Sequence, residues 1–310
     1  MKIICVIPVF NDWESLSFLM KDLEKLPLSM EVVLVNDGST EQFNADFNAQ
    51  KKPLTIINLT INVGHQRAIA IGLSYVREQM QGFDAVIVMD SDGEDRASDI
   101  PALTAMGEKN ALKKIIFAQR SKRNEGTGFK IFYFFYKSIF KLLTGQRINF
   151  GNFSFIPSVL LNKVVSIPST WNHYSGSIVK SKIPFTTVPI DRGSRYHGSS
   201  KMNFVSLIIH GLSAISIYIE VVTVRLLIFS FVGILVSTLF IVGIFIIKLF
   251  TDFAIPGWAS SMSLLIFNII IQFTVVSLLI LLLILYSRNN IQHSPNKYYK
   301  DFIDSIEKNG

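Results

Sequence analysis

The stretch VIVMDSDGEDR, residues 86–96, ends an apolar run in acid. Five apolar residues, Ala85–Met89, are followed by four carboxylates within six positions: Asp90, Asp92, Glu94 and Asp95. A short apolar run bounded by turn formers reads as a buried strand. Like charges this close repel one another, so water must screen them or something positive must sit among them. Open parallel sheets bind their ligands beyond the carboxyl ends of their strands, which is where these acids stand.

Four similar runs surround it: KIICVI (2–7), EVVLV (31–35), LTIINL (54–59) and KIIFA (114–118). Helical patterns such as WESLSFLMKDLEKL (13–26) and HQRAIAIGLSYVREQM (65–80) separate them. Continuous apolar strands alternating with helices predict an α/β domain, a mostly parallel sheet covered on both faces. The polar segments at the strand ends are then the functional candidates: PVFND (8–12), NDGST (36–40), NVGHQ (62–66) and DSDGED (90–95).

The 310 residues leave room for more than this domain, and a mean hydropathy of +0.39 is high for a soluble chain. The excess is local. Between Arg225 and Lys248 lie 22 uncharged residues, LLIFSFVGILVSTLFIVGIFII, which as a helix rising 1.5 Å per residue cross a hydrocarbon core of roughly 30 Å. A second uncharged stretch runs from Phe253 to Ser287, most apolar from Leu264 to Tyr286, with Asn268 and Gln272 inside it. Two transmembrane helices are expected, 225–248 and 262–287, joined by the turn TDFAIPGWASS.

Two further segments read as interfacial helices. In FKIFYFFYKSIFKLL (129–143), Lys130, Lys137 and Lys141 recur at seven and four, so one face is cationic and the rest aromatic and aliphatic. A soluble core helix with a lysine edge is the plainer alternative. Residues 201–223 carry a polar stripe, Asn203, Ser206, His210, Ser213, Ser216 and Glu220, and are expected to lie along the membrane surface before the first span.

The turn between the spans has no Lys or Arg after Lys248, whereas the chain before them and the tail 288–310 are rich in both. The cationic sides face the cytoplasm, which predicts a multi-pass protein of the inner (cytoplasmic) membrane with residues 1–200 cytosolic. MKIICVIPVF carries one charge and a short apolar run, so no signal peptide is expected. The single cysteine, Cys5, excludes a disulfide within one chain and reads as a buried core thiol. No nucleic-acid partner is expected despite the net charge of +7.

The motifs VIPVFND, VNDGST, NVGHQRAIAIG, VMDSDGED and AQRSKR resemble, in order and spacing, those of family 2 glycosyltransferases. The chain is most similar to the polyprenyl-phosphate group, the dolichyl-phosphate mannose synthases and bactoprenol glucosyltransferases, over roughly residues 3–203. The resemblance implies a GT-A-type nucleotide-diphospho-sugar transferase domain, a nucleotide-sugar donor, a polyprenyl phosphate acceptor and contact with membrane lipids. It also implies homo-oligomers, without fixing a number.

A nucleotide-sugar diphosphate needs a divalent cation to neutralise it as it leaves. Asp90 and Asp92, with Glu94 where the family has Gln, supply hard oxygen ligands suited to Mg²⁺ or Mn²⁺. In the family the first Asp faces ribose or metal and the second faces metal. An Asp-rich turn that only hydrogen-bonds its own backbone is the structural alternative. The resemblance places Pro8, Val9, Asp12 and Asp37 around the donor, with Asn36 replacing the family's first acid. Gly64 starts a helix whose N-terminus faces the same place. His65 is not expected to be catalytic, and Asp95 is expected to face solvent or a neighbouring cation.

Farther on, RGSRYHGSSKM resembles the family's RxxGxSK stretch, with Arg195, Gly198, Ser200 and Lys201 in register. Arg195 and Lys201 offer cations to donor diphosphate or acceptor phosphate; Ser200 belongs with them, and Arg120 and Arg123 match a second basic pair. Asn152, Phe153 and Ser154 stand where bactoprenol glucosyltransferases have Asp-Phe-Arg, a departure that bears on donor-sugar identity. A phosphate monoester is anionic at neutral pH and attacks the anomeric carbon without a general base. The expected reaction is a metal-dependent, inverting transfer of one sugar, with Asp90, Asp92 and Arg195 as its catalytic groups. A processive family 2 polysaccharide synthase is the enzymatic alternative, although Trp13, Trp171 and Trp258 are not in its Gln-x-x-Arg-Trp setting. A non-catalytic membrane scaffold of the same fold is the other.

Overall fold

A computed structural model describes residues 1–41, 52–120, 137–146, 150–191, 193–197, 211–250, 257–289 and 293–309. Two compact units divide the chain. One comprises Met1–Phe134, Arg147–Ile217 and Gln292–Gly310; the other comprises Phe135–Gln146 and Tyr218–Ile291.

The first unit is built on an eight-stranded sheet. Its strands are β1 (Lys2–Val9), β2 (Ser29–Asn36), β3 (Leu54–Leu59), β4 (Ala85–Val88), β5 (Ile115–Arg120), β6 (Ser154–Pro157), β7 (Phe185–Ile190) and β8 (Ile303–Asn309). The order is β7-β5-β6-β4-β1-β2-β3-β8. Pairs β3/β2, β2/β1, β1/β4 and β5/β7 are parallel, and β6 and β8 enter antiparallel. All five apolar runs of the sequence are strands. Period-two alternation splits β1 between the two layers of core. Ile3, Cys5 and Ile7 pack with helix α1 (Trp13–Glu24) and helix α3 (Ile100–Lys109), while Ile4 and Val6 pack with helix α2 (His65–Gln79) and helix α4 (Ser158–Val165). Cys5 is fully buried, and burial pushes its thiol pKa well above the ordinary range.

β1 lies between β2 and β4, so the connections depart in opposite directions on its two sides. Such a switch point opens a crevice above the strand ends. There the loops after β1, β2, β3 and β4 meet.

β8 was not legible as a strand. Residues 303–309, expected to be part of a tail, lie antiparallel to β3, with Leu54 opposite Asn309 and Ile57 opposite Ile306. Asn58 Nδ2 fastens the pair by donating to Ser305 Oγ (3.1 Å) and Glu307 Oε1 (2.8 Å). The chain therefore leaves this unit after Ile217 and returns to it at Gln292.

Among the described residues, the second unit holds two helices long and apolar enough to cross a membrane, α5 (Ile219–Phe250) and α6 (Trp258–Asn289). α5 starts six residues before Arg225, so the last residues of the expected surface helix 201–223 continue into the first long helix. Gly233 lets the pair approach closely, since a Cβ there would stand 2.7 Å from the Phe273 ring. Residues 137–144 form a short helix whose terminal carbonyls, Leu142 O at 2.5 Å and Lys141 O at 3.4 Å, accept from Arg225 Nη1. A cation at a helix C-terminus suits the exposed carbonyls. The expected helix 129–143 is described only from residue 137, and most of the polar stripe of 201–223 lies outside the described residues.

Candidate active site

The acids of the opening stretch form a compact turn after β4. Gly93 takes φ +88°, and the Glu94 N–H donates to Asp92 Oδ1 at 2.9 Å. Of the two expectations for Asp95, solvent is overturned: it is 4 % exposed, its Oδ2 accepts from the Asp90 N–H at 3.0 Å, and its charge acts on the neighbouring His65 imidazole. Its part is to hold the turn.

A second loop, residues 193–197, is laid against this turn by backbone bonds. The Gly193 N–H donates to Glu94 O (2.9 Å) and the Tyr196 N–H to Asp92 O (3.0 Å). Tyr196 covers Gly93, stacks on Phe18 at 5.9 Å between centroids, and donates its hydroxyl to Asp22 Oδ2 at 2.7 Å. Arg195 is thereby aimed at the acids: Nη2 lies 3.0 Å from Asp92 Oδ2 and 3.7 Å from Asp12 Oδ2. Three sequence candidates far apart in the chain, Asp12, Asp92 and Arg195, thus meet.

The loops after β1, β2 and β3 are tied to each other. Asn11, at φ 48°, accepts on Oδ1 from the N–H groups of Thr40 and Glu41. Asp37 is 3 % exposed and uses both oxygens on backbone, accepting from Val63 N–H (2.7 Å) and Gly64 N–H (3.0 Å). In this geometry Asp37 clamps the loop that launches α2. Burial raises its pKa, against the pull of the two N–H bonds and of His65. Pro8 and Val9 are buried at the end of β1, and the Val9 carbonyl accepts from the Asp37 N–H.

His65 and Asn152, to which the sequence assigned no catalytic part, stand beside the acids. His65 Nε2 is 3.1 Å from Asp90 Oδ1 and 3.1 Å from Asn152 Nδ2. Burial works against an imidazolium there, but Asp90, then Asp95 and Asp37, outweigh it and raise the His65 pKa. The signal that could have found His65 is its place, one residue after Gly64 at the helix start, opposite the β4 end.

Asp92 has its pKa raised by burial and by the charges of Asp90 and Glu94, with the Glu94 N–H and Arg195 pulling the other way. That crowding is what a divalent cation relieves. Among the described residues no three His, Cys, Asp or Glu side chains converge to hold a metal ion by themselves. Mg²⁺ takes one or two carboxylates and fills its remaining positions with water and phosphate oxygens, which fits a site of this kind. Arg120 ends β5; Arg123, Ser200 and Lys201 lie outside the described residues.

A doubly wound sheet with an acid turn and a cationic loop at its switch point is the architecture of the GT-A nucleotide-diphospho-sugar transferases. Glucosyl-3-phosphoglycerate synthase from Mycobacterium tuberculosis, solved with Mn²⁺, uridine-diphosphate-glucose and glycerol 3-phosphate, shares the fold at a TM-score of 0.52 and 12% identity, over 71% of this chain and 79% of that one. The profile of Glycosyl transferase family 2 matches residues 4–163, and the chain belongs to that family. It is similar to an uncharacterized glycosyltransferase of Synechocystis, 27% identical over 279 residues, 84% of this chain and 83% of that one. The bactoprenol glucosyl transferase of Shigella phage SfX is 27% identical over 252 residues, 77% of this chain and 78% of its own. An undecaprenyl-phosphate 4-deoxy-4-formamido-L-arabinose transferase of Pseudomonas fluorescens is 34% identical over 111 residues, 33% of this chain and 31% of its own. The family resemblance seen in the motifs is borne out, and the protein is a glycosyltransferase.

Proposed function

We propose that the protein transfers one sugar from a UDP- or GDP-linked donor to a polyprenyl phosphate at the cytoplasmic face of the inner membrane. One observation carries this reading: the glycosyltransferase unit holds both ends of a pair of membrane-length helices, giving up the chain after Ile217 and taking it back as β8. A chain that leaves and returns to one domain crosses a bilayer an even number of times, so the site stays on one side, where a lipid phosphate emerges. The names of the bactoprenol and undecaprenyl-phosphate relatives support the acceptor class. The cationic segments flanking the helices support the cytoplasmic side.

Asp90 and Asp92, with Glu94 in the same turn, would hold Mg²⁺ or Mn²⁺. The ion, when bound, neutralises the donor diphosphate as it departs. Asp12, Pro8, Val9, Asp37, Gly64, Arg120 and Arg123 shape the donor side, Asp37 by clamping the Val63–Gly64 backbone. Arg195 turns from Asp92 toward phosphate oxygens, joined by Ser200 and Lys201. The acceptor phosphate attacks the anomeric carbon, the bond to the diphosphate oxygen breaks with its electron pair, and the configuration inverts. No protein base is needed because the nucleophile is already an anion.

Membranes containing the full chain, supplied with a panel of labelled UDP- and GDP-sugars and undecaprenyl or dolichyl phosphate, test the reading. Label is expected in an organic-extractable, mild-acid-labile lipid with at least one donor. No such product with any donor contradicts it.

A further inference from the structure

The second long helix, α6, carries two seams of side chains at the alternating three-and-four spacing of paired helices. One seam, Ile266, Ile270, Phe273, Ser277 and Ile280, is shielded wholly or in part, and its Phe273 ring packs on Gly233 of α5. The other, Leu265, Asn268, Gln272, Val275 and Leu279, is exposed at every position. With about 3.6 residues per turn, the two seams lie about 140° apart, on nearly opposite sides of the helix.

The exposed seam holds both carboxamides of the span. Asn268 and Gln272 stand one turn apart, and Gln272 Nε2 donates to Asn268 Oδ1 at 3.5 Å. Each amide has two N–H donors and an oxygen that can accept twice, so most of this capacity has no partner among the described residues. The hydroxyls of the same helix differ: Thr274 donates to Ile270 O at 2.8 Å and Ser277 to Phe273 O at 2.7 Å, within their own backbone. Exposed amides are ordinary in water. Hydrocarbon offers them no partner, and polar side chains inside a span turn toward protein.

What covers this seam must bring amides, or their equal, to the same depth. Between Leu226 and Ile247, α5 has only the hydroxyls of Ser230, Ser237 and Thr238, and a polyprenyl tail has no polar group at all. The α6 of a second copy has both amides. Copies insert with one orientation, so two α6 helices run parallel. A two-fold axis between them sets Asn268 against Asn268 and Gln272 against Gln272. An amide both donates and accepts, which makes it complementary to itself, and a polar residue in a seam fixes register.

We propose that the chain pairs with a second copy through this seam of α6, the amides of Asn268 and Gln272 hydrogen-bonding across the two-fold axis. The inference rests on the membrane placement in the proposed function, and not on the donor or acceptor.

The test uses the purified full chain in phosphatidylcholine vesicles at a low ratio of protein to lipid, oxidised with copper phenanthroline. Cys5 is fully buried, so a cysteine introduced on α6 is the one that links. Leu265→Cys and Leu279→Cys, on the seam, are expected to give disulfide-linked dimers. Phe267→Cys is not: it is 55% exposed and at the depth of the amides, but about a third of a turn away. Adding Asn268→Leu and Gln272→Leu to either seam variant should raise the dimer's dissociation constant about 10–100-fold, read as linked fraction against dilution in lipid. Leucine keeps the span apolar, so insertion is retained. Dimers from Phe267→Cys as readily as from the seam, none from the seam, or linking undiminished by the two leucines overturns the proposal and leaves the membrane placement standing. Seam cysteines that link in cell membranes to a protein of another mass, and not to each other, assign the seam to a different partner and overturn it too. A chain released from cell membranes by alkaline carbonate overturns the membrane placement and this proposal with it.

Discussion

Arg195 grips Asp92 with two nitrogens, Nη2 at 3.0 Å and Nε at 3.2 Å from Oδ2, across 103 residues of chain. The same guanidinium reaches Asp12 at 3.7 Å. On the proposed function, this cation is held on the acid until a donor diphosphate competes for it. Arg195→Ala should lower transfer by about 10²–10³-fold, the scale on which removing one donor to developing negative charge acts. Arg195→Lys should recover little of it, since an ammonium does not reproduce the fork of Nε and Nη2. Initial rates with a saturating donor check both.

The acid turn and the cationic loop share a contact that admits no side chain at position 93. A Cβ on Gly93 would stand 2.3 Å from Tyr196 Cδ2, and the backbone there has φ +88°. Gly93→Ala should cost about 1–3 kcal/mol through strain alone. A domain of this size should then melt about 2–4 °C lower per kcal/mol. Transfer should fall further than stability, because displacing Tyr196 moves Arg195. Thermal melts beside activity assays on one preparation separate the two effects.

Asp92 is held against its own preference. Burial, then the charge of Asp90, then that of Glu94, raise its pKa above the ordinary value. A carboxyl whose folded pKa is raised destabilises the fold above that pKa, and the penalty fades as pH falls toward the unfolded value. Asp92→Asn keeps an acceptor for the Glu94 N–H and removes the charge. At neutral pH, without metal, it should melt about 1–3 °C above the parent. The difference should shrink as the pH falls through the acid range, while transfer is lost at every pH. A variant melting below the parent at neutral pH would contradict this account of the turn.

β8 covers the β3 edge and carries Ser305 and Glu307 to Asn58, whose Oδ1 accepts in turn from Asn36 Nδ2 at 3.0 Å. Removing residues 303–310 bares a row of unpaired backbone groups on an apolar strand, a template for association. The truncated protein should melt lower and shift toward aggregates in size-exclusion chromatography, even in detergent that keeps the parent dispersed.

The central sheet was open to reading because β1 to β5 are buried on both faces, and burial on both faces writes a continuous apolar run. β6 opens on Ser154 and closes on Pro157, β7 contains Thr186, Thr187 and Pro189 and is an edge strand, and β8 shows its charges to solvent. None of the three carries such a run. At the site, the motifs located the acids and Arg195, but not what each acid does. Asp95 looks like its neighbours in sequence, and its burial and its bond from the Asp90 N–H appear only in the folded turn. Asp37 was placed at the donor, yet its two oxygens are directed by the backbone of a loop 26 residues on. The His65 contact depends on α2 and β4 meeting in space, and no local pattern records that.

The most direct measurement is the mass of the lipid formed when purified protein, divalent ion, nucleotide sugar and polyprenyl phosphate are combined in vesicles, with Asp92→Ala run in parallel. The account predicts polyprenyl phosphate heavier by a single sugar, made by the parent and not by Asp92→Ala. A ladder of added sugars, product from Asp92→Ala at the parent's rate, or unchanged lipid with every donor would contradict it.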